Sequence, residues 1–188
     1  MRFCPACGGP IELRTPPGDT AERHVCGRCA TIHYQNPKVV VGAVCSHADR
    51  VLLCRRAIEP GRGFWTIPAG YLEIGESTEA GAAREAWEEA RARIRIQGLL
   101  AVYNVVRIHQ VQVLYHAHLV SPEVAPGEET LELDLFRWRD IPWSELAFPT
   151  VGWVLKRALE VRGRPPPYPV ALNPDGIDPP PLLERSSR

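Results

Sequence analysis

The stretch GYLEIGESTEAGAAREAWEEARA, residues 70–92, decides how this chain reads. Three of its glutamates, Glu85, Glu88 and Glu89, stand at i, i+3 and i+4, so on a helix spanning residues 77–91 their carboxylates share one face. Ala83, Ala86, Trp87 and Ala90 take the opposite arc and are expected to pack against a sheet. Most charge-rich helices are solvated faces, and Arg84, Arg91 and Arg93 are at hand to balance this one. Three carboxylates in one turn nevertheless repel one another. A divalent cation offsets that repulsion, and oxygen ligands at this spacing suit Mg²⁺ or Mn²⁺. The loop before the helix, IPAGYLEIGES, carries Gly70 and Gly75 for sharp turns and Pro68 to stiffen the entry, so backbone carbonyls come near such an ion.

At 188 residues the chain has room for one core of about 100–150 residues and a small appendage. Its 22 basic and 22 acidic side chains give no bulk charge with which to hold a nucleic acid or a membrane, so an acidic ligand must be met locally. The opening MRFCPACGG has no apolar signal region and no run of eighteen apolar residues occurs, so a cytosolic protein without membrane partner is expected.

Residues 1–35 are poor in aliphatics and rich in turn formers, and cannot close a hydrophobic core unaided. They do carry two CxxC pairs, Cys4/Cys7 and Cys26/Cys29, eighteen residues apart. That double spacing points to a tetrahedral Zn²⁺ site rather than to a single redox pair. Gly8 and Gly27 stand where amides must turn toward sulfur. Four thiolates leave no position open for water, so the zinc is read as structural. Cys45 and Cys54, in apolar runs, are read as inert buried thiols.

From Lys38 the composition changes. KVVVGAVC and RVLLCRR read as strands of a hairpin turning at SHAD, and FWTI as a short strand. After the glutamate helix come IRIQGLLAVYNVV, VQVLYHAHLV and LELDLFRWR, all strand-like. TVGWVLKRALEV, residues 150–161, then reads as a helix with one apolar stripe. Strands on both sides of an acidic helix, closed by a second helix, give an α/β sandwich rather than βαβ alternation. The expected division is residues 1–35 as a zinc ribbon, 36–162 as the main domain, and 163–188 as an extended, partly disordered Pro-rich tail. That tail lies on its own domain rather than offering PPPYP as a polyproline ligand.

Gly70, five residues, Glu76, seven residues and then Arg84-Glu85-Ala86-Trp87-Glu88-Glu89 resembles the box of the Nudix hydrolases, which cleave a nucleoside diphosphate linked to another moiety. The resemblance implies a Nudix-type α/β/α sandwich with a mixed sheet behind the ribbon. It also implies catalytic Mg²⁺ or Mn²⁺ on Glu85, Glu88 and Glu89, with the carbonyl of Ala69 or Gly70 as a further ligand, and Glu76 and Arg84 bracing loop against helix. Two positions depart from the family pattern. Arg91 stands where the family usually has glycine, and Ala86 where it has a bulkier aliphatic; a left-handed Arg91 costs about 1–2 kcal/mol. A carboxylate must take the proton of the attacking water. In some members the box supplies it and in others a later loop, for which Glu128, Glu129 and Glu132 in PGEETLELDLF are the candidates, Glu132 preferred by position.

Zinc ribbon plus box resembles two groups of the family. NADH pyrophosphatases, also linked to NAD-cap removal from RNA, carry an SQPWPFPxS-like stretch after the box, and this chain has none. HYQNPKVVVG, CRRAIEP, the PAG turn and LAFP (146–149) are similar to pyrophosphatases acting on FAD and ADP-ribose, and that group is preferred. Stacking on a substrate ring falls to Tyr34, Trp65, Tyr71, Tyr103 or Phe148, and phosphate binding to Arg55, Arg56 or Arg107; Arg55, Tyr71 and Tyr103 are selected from these. His109, His116 and His118 are read as satisfied or exposed. A homodimer is implied by the resemblance. A different class of function, a zinc-ribbon binding module on an inactive scaffold, would fit a chain that had lost its box glutamates; all are present.

Overall fold

The computed structural model describes residues 1–176 and 178–180. Two compact units divide at Pro37. The first holds β1 (Ile11–Arg14), β2 (Arg23–Cys26) and β3 (Ile32–His33), an antiparallel sheet in that order with Ile11 opposite Cys26 and Val25 opposite Ile32. Its fully buried hydrophobic side chains are Cys4, Val25 and Cys26, too little apolar surface to order the segment by burial.

The second unit begins with β4 (Lys38–His47) and β5 (Arg50–Arg56), a hairpin whose turn at Ala48 takes φ of 50°. Next come β6 (Trp65–Thr66), β7 (Ala69–Tyr71), α1 (Thr78–Ala90), β8 (Ile94–Val105), β9 (Gln110–Leu119), β10 (Thr130–Arg137) and α2 (Pro149–Val161). The sheet runs β10-β5-β4-β9-β8, with β6 beside β5 and β7 beside β4. Only β4 and β9 are parallel, so the sheet is mixed. One face packs on α2 through Val151, Val154, Leu155 and Ala158, and the other on α1 through Ala82, Ala86 and Ala90. The α/β/α sandwich is therefore the observed fold. Among the described residues no helix is long and apolar enough to cross a membrane.

Two expectations about α1 need correction. Trp87 does not pack on the sheet but is exposed, and the buried arc is Ala82, Ala86 and Ala90 together with Glu85 and Glu89. An alanine-faced helix sits close to its sheet, leaving no depth for an indole. The helix is rotated so that two carboxylates turn inward. Ser77 caps its start by accepting from the Ala80 amide. Cys45 and Cys54 are buried, and burial pushes the Cys45 thiol up to about 12, so it stays protonated.

Beyond α2 the chain lies along the outer edge of β8. Tyr168 is buried in the α2-side core, so PPPYP is part of the domain. Ala171 exchanges backbone bonds with Leu100 and Val102, both 2.9 Å. Asn173 holds the Asn104 amide and carbonyl at 2.8 Å each, and Asp178 accepts from the amides of Val106 and Arg107. A proline-rich chain has few amides of its own, so Asn and Asp side chains make these attachments and shield an edge strand. Residues 181–188 of the expected tail lie outside the described residues.

Tyr168 also meets a small histidine network. Ser46 Oγ lies 3.1 Å from His116 Nε2 and 3.0 Å from His118 Nδ1, and His116 Nδ1 lies 3.0 Å from the Tyr168 hydroxyl. Burial, and then the neighbouring His118, press His116 down to about 4. The unfolded chain takes up this proton below about 6.5 while the folded one does not. The His116 contribution to stability is therefore full above about 6.5 and falls by about 1–2 kcal/mol as the pH drops toward 4, after discounting for partial solvent access. Glu89, pushed up to about 8, changes stability in the opposite sense over the same range, so the His116 part is read as a difference: from pH 7 to pH 5, His116→Asn should lose less stability to urea, or gain more, than wild type. The same change in that variant as in wild type would remove His116 as a source.

Candidate active site and metal centres

The first unit gathers its four cysteines. The Sγ atoms of Cys4, Cys7, Cys26 and Cys29 all lie within 4.8 Å of one another, with Cys7–Cys26 at 3.5 Å and Cys4–Cys29 at 3.8 Å. A tetrahedral ion with sulfur at about 2.3 Å sets its ligands about 3.8 Å apart, so the cluster fits one zinc. Each sulfur also has a hydrogen-bond partner. The Gly9 amide donates to Cys7, the Arg28 and Cys29 amides to Cys26, the Thr31 hydroxyl lies 3.1 Å from Cys29, and His33 Nε2 lies 3.3 Å from Cys4. The amides that turn toward sulfur are thus those of Gly9 and Arg28, one residue beyond the expected Gly8 and Gly27. Hydrogen bonding to Thr31 draws Cys29 down to about 6 while, against the pull of the Gly9 amide, the neighbouring cysteines push Cys7 up to about 12, so the four thiols do not all ionise together without a cation among them.

In the second unit the glutamates of α1 line a cavity of about 830 Å³. Its wall also takes Arg56 at the end of β5, Ile58 and Pro60 after it, Ala69, Gly70 and Tyr71 of β7, Arg107 and Ile108, Gln110 and Gln112 of β9, Glu128 and Glu129, and Phe148. Gly70 permits a close approach: a Cβ there would lie 2.4 Å from Glu85 Oε1, so glycine lets the carboxylate rest on the strand. Arg84 ties the loop to the helix. Its Nη1 reaches Glu85 at 2.7 Å and Glu88 at 2.8 Å, its Nη2 reaches Glu76 at 2.8 Å and the Tyr71 carbonyl at 2.9 Å, and its Nε reaches Glu76 at 3.1 Å. Glu76 accepts as well from the Glu73 amide, and its carboxyl is held below the usual range, chiefly by Arg84.

Glu85 and Glu89 are 8% and 7% exposed. Burial, then the charge of Glu85, drives Glu89 up to about 8, and burial raises Glu85 too. The Ala69 amide donates to Glu89 at 3.3 Å, the one hydrogen bond recorded for that carboxylate among the described residues. Buried acids that repel one another, with half-exposed Glu88 beside them, form an oxygen donor set that fits a hard divalent cation.

Glu129, not Glu132, joins this cluster. Its charge contributes to the upward push on both Glu85 and Glu89, and it lines the cavity. The Gly127 amide donates to the Glu89 carbonyl at 3.0 Å and the Ala125 amide to that of Ala90 at 2.9 Å, so the loop is pinned to the end of α1. A Cβ at Gly127 would fall 1.7 Å from the Glu88 carbonyl oxygen. Glu132 lies on β10 beyond a register shift, outside the cavity, paired with Arg55 at 3.0 Å. Arg55 is spent on that pair and on the Gly63 carbonyl, so the arginine of β5 in the wall is Arg56, set over the Phe148 ring at 5.2 Å. Tyr103 is buried edge-on against Trp153 and is core, not wall. Tyr71 is in the wall and half exposed, with Lys38 over its ring at 4.9 Å and Gln110 donating to its hydroxyl. Gln110 and Gln112 also line the cavity without a signal in the sequence beyond their place in the chain, and so does Arg91, which the sequence marks only as a balancing charge and a departure from the family's glycine.

Comparison with known proteins agrees with this geometry. The model of the Nudix N-terminal zinc ribbon matches residues 2–35 and that of the NUDIX domain residues 36–155. An ADP-ribose pyrophosphatase of Methanocaldococcus jannaschii is 28% identical over 119 residues, 61% of this chain and 69% of its own length. A NAD-capped RNA hydrolase NudC of Stutzerimonas stutzeri is 32% identical over 133 residues, 70% of this chain but only 46% of the relative. A crystal structure of a NUDIX hydrolase from Nitrosomonas europaea superposes with a TM-score of 0.86 at 47% identity, covering 92% of this chain and 98% of that one. The chain belongs to the Nudix hydrolase family, as a member that carries the family's N-terminal zinc ribbon.

Proposed function

We propose that the chain hydrolyses the pyrophosphate bond of a nucleoside diphosphate linked to another moiety, with FAD or ADP-ribose as substrate and AMP plus FMN or ribose 5-phosphate as products. The observation that carries this reading is the buried pair Glu85 and Glu89, which share with Glu129 the wall of a cavity large enough for a dinucleotide. Glu85, Glu88 and Glu89, with the backbone at Ala69, would hold Mg²⁺ or Mn²⁺, which when bound neutralises the diphosphate and makes a water more acidic. Glu129 takes the proton of the attacking water, because the Gly127 attachment fixes its loop on the end of α1. Phe148, braced by Arg56, and Tyr71, braced by Lys38, offer ring faces on which a nucleotide base or flavin can stack. Binding at these remote rings aligns the diphosphate over the carboxylates. In the first unit Cys4, Cys7, Cys26 and Cys29 would hold a structural Zn²⁺.

A second reading, hydrolysis of NADH or of NAD-capped RNA ends, is favoured by the relatives named as NAD-capped RNA hydrolases; the lack of an SQPWPFPxS-like stretch stands against it. The discriminating experiment offers FAD, ADP-ribose, NADH, nucleoside triphosphates and NAD-capped RNA with Mg²⁺ or Mn²⁺ and identifies the products. kcat/KM for FAD or ADP-ribose should exceed that for NADH by at least about tenfold, a margin of about 1.4 kcal/mol in transition-state binding. EDTA should abolish turnover and added Mg²⁺ restore it, and Glu129→Gln should lower kcat by about 10²-fold or more with KM little changed. A preference for NADH would transfer the chain to the second reading, and release of pyrophosphate from triphosphates would reject both. The family resemblance adds a cytosolic homodimer to this proposal, which light scattering on the purified protein would test.

A further inference from the structure

Helix α1 ends on a residue that backbone sterics disfavour there. Arg91 has φ 49° and ψ 25°, the left-handed conformation, with its amide donating to the Ala86 and Trp87 carbonyls. A side chain with a Cβ costs about 1–2 kcal/mol in that region where glycine is at ease. Strain of this kind persists where the surroundings enforce it and collects at functional sites. The Arg91 side chain has such a setting. It lines the cavity beside Glu88, its guanidinium carbon lies 5.7 Å from the centre of the Trp87 ring, and Arg93 lies 5.6 Å from the same ring. Trp87, exposed on α1, is thus a platform for both guanidinium groups.

The other arginines of the wall are already engaged. Arg84 is held by three glutamates and a carbonyl, Arg107 by the carbonyls of Pro179 and Pro180, and Arg56 by the Pro60 carbonyl and the Phe148 ring. Among the described residues Arg91 makes one side-chain hydrogen bond, to the Trp87 carbonyl at 3.5 Å. Its remaining donors are available to a ligand. An anionic substrate approaching a wall of glutamates is repelled until it is neutralised, and a cation at the rim reduces that repulsion where it is greatest.

We propose that Arg91 is a substrate-positioning residue whose guanidinium, braced on Trp87, binds a phosphate oxygen of the nucleoside diphosphate as it enters over the glutamates. The planar fork suits a phosphate, and stacking on the indole restricts the side chain before the ligand arrives. The inference rests on the pyrophosphatase reading of the cavity.

The test compares wild type, Arg91→Gly and Arg91→Lys. With ADP-ribose and Mg²⁺, Arg91→Gly should raise KM about tenfold, the size of one charge-assisted phosphate bond, while kcat stays within about threefold. Its melting temperature should be equal or higher, since glycine relieves the left-handed strain. Arg91→Lys, which keeps the charge but loses the fork, should fall between the two. A KM within twofold of wild type in Arg91→Gly would overturn the proposal, as would a drop in kcat together with a lower melting temperature. Calorimetry with ADP and Mg²⁺ tests Arg91 independently of turnover: about tenfold weaker binding to Arg91→Gly is expected, and equal affinity overturns the proposal even if wild type hydrolyses every diphosphate offered. Failure of wild type to hydrolyse any diphosphate, with ADP binding still dependent on Arg91, would instead reject the pyrophosphatase reading alone.

Discussion

Glu89→Gln is expected to lower kcat by about 10³-fold while the protein folds as well as before, or better. Stability and catalysis separate here because Glu89 is a carboxylate kept at the expense of the fold. It is 7% exposed, and burial with the nearby Glu85 pushes it up to about 8. In the unfolded chain the same side chain ionises near its ordinary value, so the folded state resists a charge that the unfolded state carries freely at neutral pH. Glutamine removes that penalty, keeps the shape, and still accepts from the Ala69 amide. The metal-free variant should therefore melt at an equal or higher temperature than metal-free wild type, and Mg²⁺ should raise its melting temperature less than it raises that of wild type. Near-normal turnover, or a variant that no longer folds, would take Glu89 out of the role proposed for it.

How far this site was legible in the sequence depended on the range of the interactions that build it. Glu85, Glu88 and Glu89 share a helix face by local periodicity alone, and so they were readable. Trp87 was misplaced because periodicity ranks residues by polarity and not by volume; the alanine face admits no indole at that depth. Position in the chain favours Glu132 over Glu129, but two non-local features leave Glu129 in the cavity wall and Glu132 outside it. Gly127 and Ala125 pin the loop to the last carbonyls of α1, and the register shift between Thr130 and Glu132 leaves Glu132 outside the cavity, facing Arg55 across the strand pair. The same parity problem exchanged Arg55 for Arg56. On β8, shifts between Ile96 and Gly98 and between Leu99 and Ala101 reset the alternation before Tyr103, which is buried against Trp153. Strand alternation gives two faces but not which face meets the cavity.

The ribbon yields the other large effect. Cys7→Ser should release the zinc and unfold residues 1–37 while the second unit stays folded. With Cys4, Val25 and Cys26 as its buried hydrophobic side chains, this unit buries too little apolar surface to offset the entropy of ordering its length. Binding of a structural zinc is itself folding free energy, and the sulfur partners Gly9, Arg28, Thr31 and His33 are already in place to receive it. Metal analysis should find one zinc per chain in wild type and none in the variant, with backbone amide signals of β1 to β3 collapsing to unfolded positions. Every residue of the cavity wall lies at Val40 or beyond, so kcat is expected to change by less than about threefold, under about 1 kcal/mol in barrier. Zinc-free wild type with the cysteines paired as disulfides and the ribbon intact would overturn the metal site. A large fall in kcat without loss of the second unit's fold would show that the ribbon takes part in turnover.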